Sequence, residues 1–553
     1  MSGDVDIPAT ADLEIGGTLG TGATLLLWRA ALYLLLTMPT PAHPSTDMTC
    51  RITFAGLAAI FLLMLLACGG GNGSSSGSSS SGSSTPPPPA VALTQLSTDT
   101  FTNPQSQHAT EVEPGMASSG STLVTAFQVG RIFSGGSSDI GFATSTDAGG
   151  HWSNGLLPGL TQFQGGSYLA ASDPSVAFDQ SHGVWIIASL AIASGSDIVV
   201  VSRAADAHTW TNPIAVSSTA DADKEWIACD NNSASPFFGH CYLEWDDPSR
   251  PANGLIWMST SADGGRTWSA AANTADAATG LGGQPTVGAN GLVVVPIENA
   301  DGTQMLSFTS TDGGATWGRT VTISSITDHQ VAGNLRTSSL PSATTDASGC
   351  IYVVWQDCRF RAGCASNDIV MSTSSDGANW TAPAGIPIDA TSSTVDHFIP
   401  ALAADPATSG SSAHLALTYY FYPTSACTVS TCSLNVGSIS SSDGGNTWSS
   451  PTTLAGPMTL AWLPNTSSGM MVGDYVATAY ANGNAFGVFA VAQVNTGGVF
   501  NEAIFTTTSP LPQAARAKRD ALRADAAITT RSDHPPRRFY DLDHEHPIPQ
   551  KKK

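Results

Sequence analysis

The stretch Ser310-Thr311-Asp312-Gly313-Gly314-Ala315-Thr316-Trp317 decides the fold of this chain. Its pattern is Ser-x-Asp-x-Gly-x-Thr-Trp, and each part of the pattern has a physical role. The aspartate can accept hydrogen bonds from backbone N–H groups of its own turn, and a glycine supplies the positive φ that the turn needs. The tryptophan can fold back as an apolar plug between neighbouring sheets. The stretch therefore predicts a self-locked turn between two β-strands.

The same turn recurs along the chain, at a spacing that suits one structural repeat. The aspartate and tryptophan of the clearest copies are Asp147 and Trp152, Asp263 and Trp268, Asp312 and Trp317, Asp376 and Trp380, and Asp443 and Trp448. A shortened sixth copy, ending at Trp210, lacks the glycine. Through these repeats the chain resembles the Asp-box (BNR repeat) proteins, of which the sialidases are the best-known members.

A second repeated pattern precedes each Asp box and predicts an inner β-hairpin. It begins with an acid and a proline, as at Glu113 and Asp173, and its last, divergent copy begins at Asp474. Seven such hairpins and six boxes indicate units of four strands. The strand at 91–97 would complete the last unit and remove the open sheet edges. We therefore expect an all-β fold, a single Asp-box β-propeller over residues 91–508. Seven four-stranded blades are expected, with six as the alternative because the resembled sialidases have six.

The charge of the chain excludes some partners. The 553 residues carry a formal net charge of −22, so nucleic acid and anionic membrane surfaces are poor partners. Ten of the 21 basic residues follow Gln513, and only nine lie between Cys68 and Gln513, where Lys224 is the sole lysine. A basic side chain within the propeller is scarce enough to require an explanation.

The two ends of the chain differ from the propeller in composition. Residues 48–68 form an apolar run that ends in Leu65-Leu66-Ala67-Cys68, which resembles a bacterial lipobox, and the resemblance implies cleavage before Cys68 and lipidation of its thiol. The alternative is an ordinary transmembrane anchor. Residues 1–47 are then a leader or an unused upstream start, 69–90 a flexible Gly/Ser/Pro-rich linker, and 509–553 a disordered basic tail. We expect a lipid-anchored protein of the bacterial cell envelope, periplasmic or surface-exposed, that meets the membrane only through its anchor.

Seven cysteines lie within the propeller, and six of them form closely spaced pairs. The pairs are Cys229 with Cys241, Cys358 with Cys364, and Cys427 with Cys432. Three local disulfides are expected outside the cytoplasm, with Cys350 left as a free thiol. The alternative is that all seven are small apolar core residues. A zinc site is not expected, because no pair of histidines lies nearby.

The order of strands in a blade assigns the loops to two faces. The turns inside the inner hairpins and the Asp boxes lie on one face, here called the Asp-box face. The loops between blades and those between second and third strands lie on the other, here called the mouth face. Scarce basic residues collect in loops of the mouth face, among them Arg131, Lys224, Arg336 and Arg359. These side chains could hold a substrate carboxylate, or they could instead pin long loops to nearby acids.

The resemblance to sialidases implies roles for individual residues. Tyr475 would be the nucleophile, Glu225 its base and Asp173 the acid/base, while Arg131, Arg336 and Arg359, with Lys224, would bind the carboxylate. The Phe/Tyr-Arg-Ile-Pro sequence that carries the first arginine of sialidases is missing, and Arg131 follows the second strand instead.

Two functions are therefore expected from the sequence. The first is a sialidase-like exo-glycosidase that acts on acidic-sugar glycans without a required cofactor. The alternative is a non-catalytic propeller that binds a glycan or a protein. The four acids of the mouth could also hold Ca²⁺; they are Glu113, Asp173, Glu225 and Asp474. A monomer with a glycan or glycoprotein partner is expected in either case.

Overall fold

The computed structural model describes residues 91–194, 196–217, 221–249 and 254–514. The predicted leader, signal peptide, Cys68, linker and basic tail lie outside these residues and stay predictions. The described part is all-β, as expected. Its helices are six 3-10 turns of three residues each: Gln162–Gln164, Ala289–Gly291, Ala332–Asn334, Ala362–Cys364, Gly410–Ser412 and Leu460–Trp462. Over the described ranges, the chain forms no helix with the length and apolar character that a membrane crossing requires.

Thirty strands occupy the described residues. The first ten are β1 (Leu93–Gln95), β2 (Glu111–Ser119), β3 (Thr122–Arg131), β4 (Ser137–Ser145), β5 (Ser153–Leu156), β6 (Ala170–Asp179), β7 (Val184–Ala193), β8 (Ser196–Ala204), β9 (Ile214–Ser217) and β10 (Asp223–Cys229). The next ten are β11 (Cys241–Asp247), β12 (Leu255–Ser261), β13 (Gly280–Leu281), β14 (Thr286–Val287), β15 (Val293–Asn299), β16 (Gln304–Ser310), β17 (Val321–Ser325), β18 (Ser342–Thr345), β19 (Ile351–Asp357) and β20 (Asp368–Ser374). The last ten are β21 (Ala384–Gly385), β22 (Asp396–Ala404), β23 (Leu415–Tyr422), β24 (Ser433–Ser441), β25 (Thr452–Thr459), β26 (Asn465–Thr466), β27 (Gly469–Met470), β28 (Ala477–Ala481), β29 (Asn484–Ala492) and β30 (Glu502–Thr507).

These strands pair almost entirely as antiparallel meanders. Four-stranded sheets are formed by β18 to β21, by β22 to β25, and by β28, β29, β30 and β1. Strands β13 to β17 form a five-stranded sheet, β10 to β12 a three-stranded one, and β26 and β27 a small two-stranded one. The meanders β2 to β5 and β6 to β9 are joined into one eight-stranded sheet through a single pair, Ser137 with Ala171.

The prediction of seven separate four-stranded blades, and its six-bladed alternative, is wrong. The described residues form five sheets of four or more strands. The count falls for two reasons: two expected blades share the eight-stranded sheet, and the sheet of β10 to β12 lacks a fourth strand. The seven inner hairpins themselves are all present as antiparallel pairs; they are β2–β3, β6–β7, β10–β11, β14–β15, β18–β19, β22–β23 and β28–β29.

The first strands of these hairpins surround a central channel. Each contacts the first strand of the next hairpin, and β28 contacts β2, so the arrangement closes on itself in the manner of a propeller. The N-terminal strand completes the closure, because β1 pairs with β30 in the register of Leu93 with Thr507. This pairing is the one that the sequence predicts.

The Asp-box turns have the predicted geometry. In the copy that opens the sequence, Asp312 Oδ1 accepts the backbone N–H of Thr316 at 3.0 Å and the Ser310 hydroxyl at 2.8 Å, while Oδ2 accepts the Thr316 hydroxyl at 2.6 Å. Trp317 is buried and makes edge contacts with Phe308 of its own sheet and with Tyr242 of the preceding sheet. The tryptophan thus joins two neighbouring sheets.

The three predicted disulfides are confirmed. Cys229 bonds to Cys241 across β10 and β11, and the pairs Cys358–Cys364 and Cys427–Cys432 each close a loop of the mouth face. Cys350 is the free cysteine among the described residues. The alternative of seven unpaired core cysteines is wrong.

Candidate functional site

A left-handed β-bulge positions the charged residues at the channel mouth. The pairing of the inner strands breaks at Glu113, Asp173 and Lys224, and all three have positive φ, between 45° and 55°. Non-glycine residues adopt this conformation at an energetic cost and concentrate at functional sites. Ile399 has the same conformation in a fourth inner strand. Lys224 therefore occupies the position that the sequence pattern assigned to Glu225, which lies one residue further along β10.

Asp474 binds two of the scarce cations of the mouth. Arg336 donates from Nε to Asp474 Oδ1 at 2.7 Å and from Nη2 to Oδ2, and Lys224 Nζ donates to the same Oδ2. Burial works to raise the pKa of Asp474, but the charges of Lys224 and Arg336 outweigh it and lower this pKa. Burial likewise works to lower the pKa of Lys224, and the carboxylates of Asp474, Asp173 and Asp223 raise it overall. In this group two cations share one carboxylate, with Asp474 and Lys224 buried and Arg336 partly exposed.

Arg131 is a buried guanidinium without a carboxylate partner in the described residues. Its Nη1 donates to the carbonyl of Gly136 at 2.5 Å and to Gln128 Oε1 at 3.3 Å, and its Nε contacts Met471 Sδ at 3.2 Å. Its Nη2 has no hydrogen bond to any described residue. Burial, opposed by the charge of Glu113, lowers the pKa of Arg131. One edge of this guanidinium is therefore free to bind a ligand.

Tyr475 and Glu225 are buried together with unused polar atoms. The Tyr475 ring stands edge-on to Trp226, with 5.0 Å between ring centroids, and its hydroxyl has no hydrogen-bond partner in the described part of the chain. Neither carboxyl oxygen of Glu225 has a partner there. Burial, then the charges of Asp173, Glu113 and Glu225, raise the pKa of Tyr475. Burial and then Asp173 raise the pKa of Glu225. The three residues to which the sequence analysis gave catalytic roles are thus electrostatic neighbours.

Burial also raises the pKa of Glu113, Glu244 and Asp246 around the mouth. Burial and the charges of Asp173 and Asp474 raise the pKa of Glu113 to about 8. Its Oε1 accepts the backbone N–H of Asp474 at 3.0 Å, which ties β2 to the last inner hairpin. Glu244 and Asp246 are fully buried on β11, and for each of them burial is the main cause of a raised pKa.

Arg359 does not join this group, and its predicted substrate-binding role is not supported. Its guanidinium donates to both oxygens of Asp357, at 2.9 and 2.6 Å, and to Ser324 Oγ, and it lies over the ring of Trp355. The physical reason is local. Asp357 lies two residues away in the sequence and offers a full bidentate partner. Of the three arginines expected to converge, only Arg131 and Arg336 do so, and Lys224 takes the third position.

A cavity of about 330 Å³ opens beside this group on the mouth face. Lys224, Asp328, Arg336 and Asp474 are among its lining residues. Arg131 and the three residues given catalytic roles do not line it. Its volume is at the lower end of the range of about 300 to 1,000 Å³ that is typical of ligand sites, so it suits a single sugar ring better than a long polymer. A larger cavity of about 550 Å³ lies toward the Asp-box face, and Trp226, which contacts the ring of Tyr475, is among its lining residues.

Two groups of acidic side chains in the described residues offer oxygen atoms that could ligate a metal ion. At the mouth, the ammonium of Lys224 already supplies the positive charge that the sequence prediction gave to Ca²⁺, because it lies against Asp474 and within 4.0 Å of Asp173. The second place is formed by Asp368, Asp389 and His397. Arg361 donates to both of these aspartates, so a guanidinium fills the space between them. Neither donor set fits a cation well.

The sequence analysis placed Asp474 in the acid ring of the mouth but missed its role as a counter-ion. It also missed Gln128, which donates to Glu113 and to Ser172 Oγ and accepts from Arg131. The buried pair of Glu244 and Asp246 was missed as well. The sequence does contain a signal for the pair of Glu244 and Asp246. Glu244 and Asp246 alternate with apolar residues on a strand whose other residues are buried, where two unpaired acids are unusual.

Comparison with known proteins supports the fold. Residues 193–404 match the family of BNR repeat-like domains, and no curated protein matches the chain. A Hadza microbial sialidase, Hz136, is 16% identical with a TM-score of 0.38, over 73% of this chain and 66% of the sialidase, just under two thirds of its length. A variant of the NanB sialidase from Streptococcus pneumoniae is 14% identical with a TM-score of 0.38, over 74% of this chain and 70% of that one.

A polysaccharide lyase, an ulvan lyase of family PL25, is 12% identical with a TM-score of 0.43, over 77% of this chain and 99% of that one. All three TM-scores lie below 0.5, so these similarities do not bear on what the protein does. Residues 193–404, less than half of the chain, thus match the BNR repeat-like domains, and Asp boxes recur on both sides of that stretch.

Proposed function

We propose that this protein is a glycoside hydrolase that removes acidic sugars from the ends of glycans at the channel mouth. The observation that carries the proposal is the buried pair of Tyr475 and Glu225. A phenol and a carboxyl group, both without partners in the described residues, lie in the electrostatic field of Asp173. Buried polar atoms without partners are costly in a core, and a substrate would supply the missing partners.

The proposed reaction uses these groups in two steps. Tyr475 Oη bonds to the anomeric carbon and passes its proton to Glu225, while the glycosidic bond breaks and Asp173 protonates the leaving oxygen. Water then attacks the anomeric carbon and gives its proton to Asp173, the bond to Tyr475 breaks, and Glu225 returns the proton to the phenol. The sugar carboxylate is held by the two guanidinium nitrogens that have no hydrogen bond in the described residues, Nη2 of Arg131 and Nη1 of Arg336.

The test is turnover of fluorogenic α-sialosides and β-glucuronides by the wild type and by Tyr475→Phe. The Tyr475 hydroxyl has no partner to lose among the described residues, so the variant should fold as the wild type does. Turnover should fall by about 10²- to 10⁴-fold, the usual worth of a positioned proton-transfer group. Arg359→Gln is the matched control, because Arg359 lies away from the mouth. The proposal fails if wild type and Tyr475→Phe turn over equally, or if neither acts on any acidic glycoside.

A non-catalytic binding protein is the second candidate, and two observations favour it. Asp474 already binds Lys224 and Arg336, two of the four cations expected to hold a carboxylate. The exposed large hydrophobic side chains of the described residues also all lie on loops of the mouth face: Phe133, Leu169, Phe360, Val429, Val494 and Val499. Such an apolar rim is typical of a surface that binds a partner. Binding on a glycan array without turnover of the bound glycan would establish this function.

Three further expectations complete the proposal. The protein is lipid-anchored through Cys68 in a bacterial cell envelope, and Cys68→Ala should leave an uncleaved precursor without lipid label. It works as a monomer on a glycan or glycoprotein. It needs no cofactor, because Lys224 fills the place suggested for Ca²⁺. Chelation with EDTA should therefore leave turnover and glycan binding unchanged. Loss of either activity on chelation would support the Ca²⁺ hypothesis instead.

A further inference from the structure

The cavity of about 330 Å³ on the mouth face is lined by uncharged polar side chains whose hydrogen-bonding groups are unused. Five of these side chains make no hydrogen bond to any described residue: Gln330, Asn334, Thr337, Ser338 and Ser468. Each amide and each hydroxyl among them can both donate and accept a hydrogen bond. A ligand whose own groups donate and accept would therefore find several partners in this cavity.

Lys224 adds a buried donor to the wall of the same cavity. An ammonium group carries three N–H donors. One of them is directed to Asp474 Oδ2, whereas Asp173 Oδ1, at 4.0 Å from Nζ, lies beyond hydrogen-bond distance. Two donors are thus without a partner in the described part of the chain, although the side chain is only 7% exposed. Buried donors without acceptors are costly, and a ligand hydroxyl in the cavity would supply an acceptor.

The charges of the lining favour a neutral ligand. Two basic side chains, Lys224 and Arg336, face two acidic ones, Asp328 and Asp474, so the lining has no surplus of either sign. The apolar part of the lining consists of three side chains: Leu281, Val331 and Leu335. Apolar surface with a few polar groups is typical of small-molecule sites. A neutral pyranose matches this lining, because it has hydroxyl groups around its edge and C–H groups on its faces.

The position of Lys224 relates the cavity to the proposed reaction. Its Nζ lies 4.0 Å from Asp173 Oδ1, and Asp173 is the proposed acid that protonates the leaving oxygen. That oxygen belongs to the second sugar of the glycan. Glu225 and Tyr475, which act on the first sugar, do not line the cavity. The cavity therefore lies where the second sugar is expected, beside the reacting atoms and not at them.

We propose that this cavity is a subsite for a neutral pyranose, the sugar to which the acidic sugar of the substrate is linked. The order of the two sugars rests on the proposed function, whereas the binding of a neutral sugar rests on the lining of the cavity alone. The substrate class is then an acidic sugar joined to a neutral hexose. A chain of acidic sugars is disfavoured, because Asp328 and Asp474 leave no surplus positive charge for a second carboxylate.

Asn334 allows the subsite to be tested without disturbing the backbone. It has a φ of 59° in the turn Ala332–Asn334, a conformation that glycine adopts readily. Asn334→Gly therefore removes the amide from the cavity and keeps the turn. Asn290→Gly is the matched control, because Asn290 has a φ of 56° in the turn Ala289–Gly291 on the Asp-box face. Equal unfolding midpoints of the two variants will show that both fold alike.

The measurement is saturation-transfer NMR of the full-length protein with the methyl glycosides of galactose, glucose, mannose and N-acetylglucosamine. At least one of these probes should receive saturation from the wild type and from Asn290→Gly. It should receive less from Asn334→Gly, by about threefold or more, since one or two neutral hydrogen bonds are lost.

Turnover measured beside binding separates this inference from the proposed function. The subsite is overturned if none of the four probes receives saturation, or if the two variants bind the probe equally. Turnover of acidic glycosides without neutral-sugar binding would likewise overturn the subsite and leave the proposed hydrolysis standing. Binding that depends on Asn334, in a protein that hydrolyses no acidic glycoside, would support the subsite and exclude only the hydrolysis.

Discussion

Asp474 and Arg336 form a bidentate ion pair at the channel mouth, with Arg336 Nε 2.7 Å from Asp474 Oδ1. Asp474 is buried, Arg336 is partly exposed, and Lys224 donates to the same carboxylate. Asp474 thus occupies the position of a ligand carboxylate with respect to these two cations. It also holds Arg336 in one orientation, which leaves Nη1 of that guanidinium as the edge available to a substrate.

Asp474→Ala should destabilise the domain, because it removes the carboxylate that binds the buried Lys224 and the partly exposed Arg336. Breaking a buried ion pair by removing one member costs about 3–5 kcal/mol. Added formate should recover part of the lost free energy of unfolding, since it can bind where the carboxylate was, as mass action requires. Urea denaturation in sodium formate and in sodium chloride of equal ionic strength measures both effects.

Asp301→Ala is the control for that experiment, because Asp301 is exposed and surface substitutions change stability by only about 0.5 kcal/mol. Equal stability of Asp474→Ala and wild type, or the absence of any formate effect, would contradict the role given to Asp474.

Arg131→Gln should weaken the binding of acidic ligands, whereas Arg359→Gln should not. A hydrogen bond to a charged group contributes about 1.5–3 kcal/mol, so loss of the Arg131 contact should raise KM or Kd roughly 10- to 150-fold. Arg359 is engaged with Asp357 and Trp355, and its loss should appear in the unfolding free energy instead. Calorimetric titration with an acidic sugar, beside urea denaturation, separates the two. Equal effects of both substitutions on binding would contradict this assignment.

The stability of the domain should fall as the pH rises from about 5 to 8. The pKa of Glu113 rises from its ordinary value of 4.5 to about 8, and that of Glu298 to about 7, in both cases chiefly through burial. The folded state keeps these protons to a higher pH than the unfolded chain does, so unfolding releases protons in this window. Each such group lowers the unfolding free energy by about 1.4 kcal/mol per pH unit.

The opposite trend should appear in stronger acid, because the pKa of Asp474 is lowered and its contribution is lost as it becomes protonated. Thermal unfolding from pH 3 to 9 should therefore give a maximum in the mildly acidic range. Glu113→Gln, which removes one of these titrations, should flatten the decline above pH 5. A thermal midpoint that rises from pH 5 to 8 would show that these carboxyl groups ionise normally in the folded state.

Trp317→Ala should cost about 3–5 kcal/mol of unfolding free energy, the range for deleting a large buried side chain. Trp317 is only 4% exposed and contacts two aromatic rings. Trp448 holds the same place in another box but is partly exposed, so Trp448→Ala is a matched control and should cost less. Equal costs would mean that the tryptophan does not join neighbouring sheets.

The local features of the fold could be predicted from the sequence because short-range chemistry determines them. The Asp312 turn, the disulfides of Cys358 with Cys364 and of Cys427 with Cys432, and the closing strand β1 all follow from residue types and spacing. The sheet count could not be predicted in this way. It depends on one tertiary pair, Ser137 with Ala171, and on a missing fourth strand after β12.

The site was predicted less completely than the fold. The face and most of the charged residues were identified, because scarce basic residues could be counted along the chain. Their pairing depends on which side chains meet across the channel. No sequence pattern indicates that Lys224 adopts the bulge conformation of Asp173, or that Asp474 binds Arg336, since these residues are far apart in the chain. Arg359 lies outside this group for the opposite reason, because its partner Asp357 is two residues away and satisfies it locally.

The closing strand has a consequence for how the chain folds during synthesis. Thr94 and Thr508, whose hydroxyls lie 3.1 Å apart, are separated by 414 residues. Translation proceeds at about 5–20 residues per second, so β30 is synthesised roughly 20–80 s after β1 and cannot pair with it earlier. During that time the apolar interior beside Leu96 and Phe127 stays open to water and to other chains. A chain terminated before Glu502 is therefore expected to remain open and to bind chaperones, while the complete chain closes.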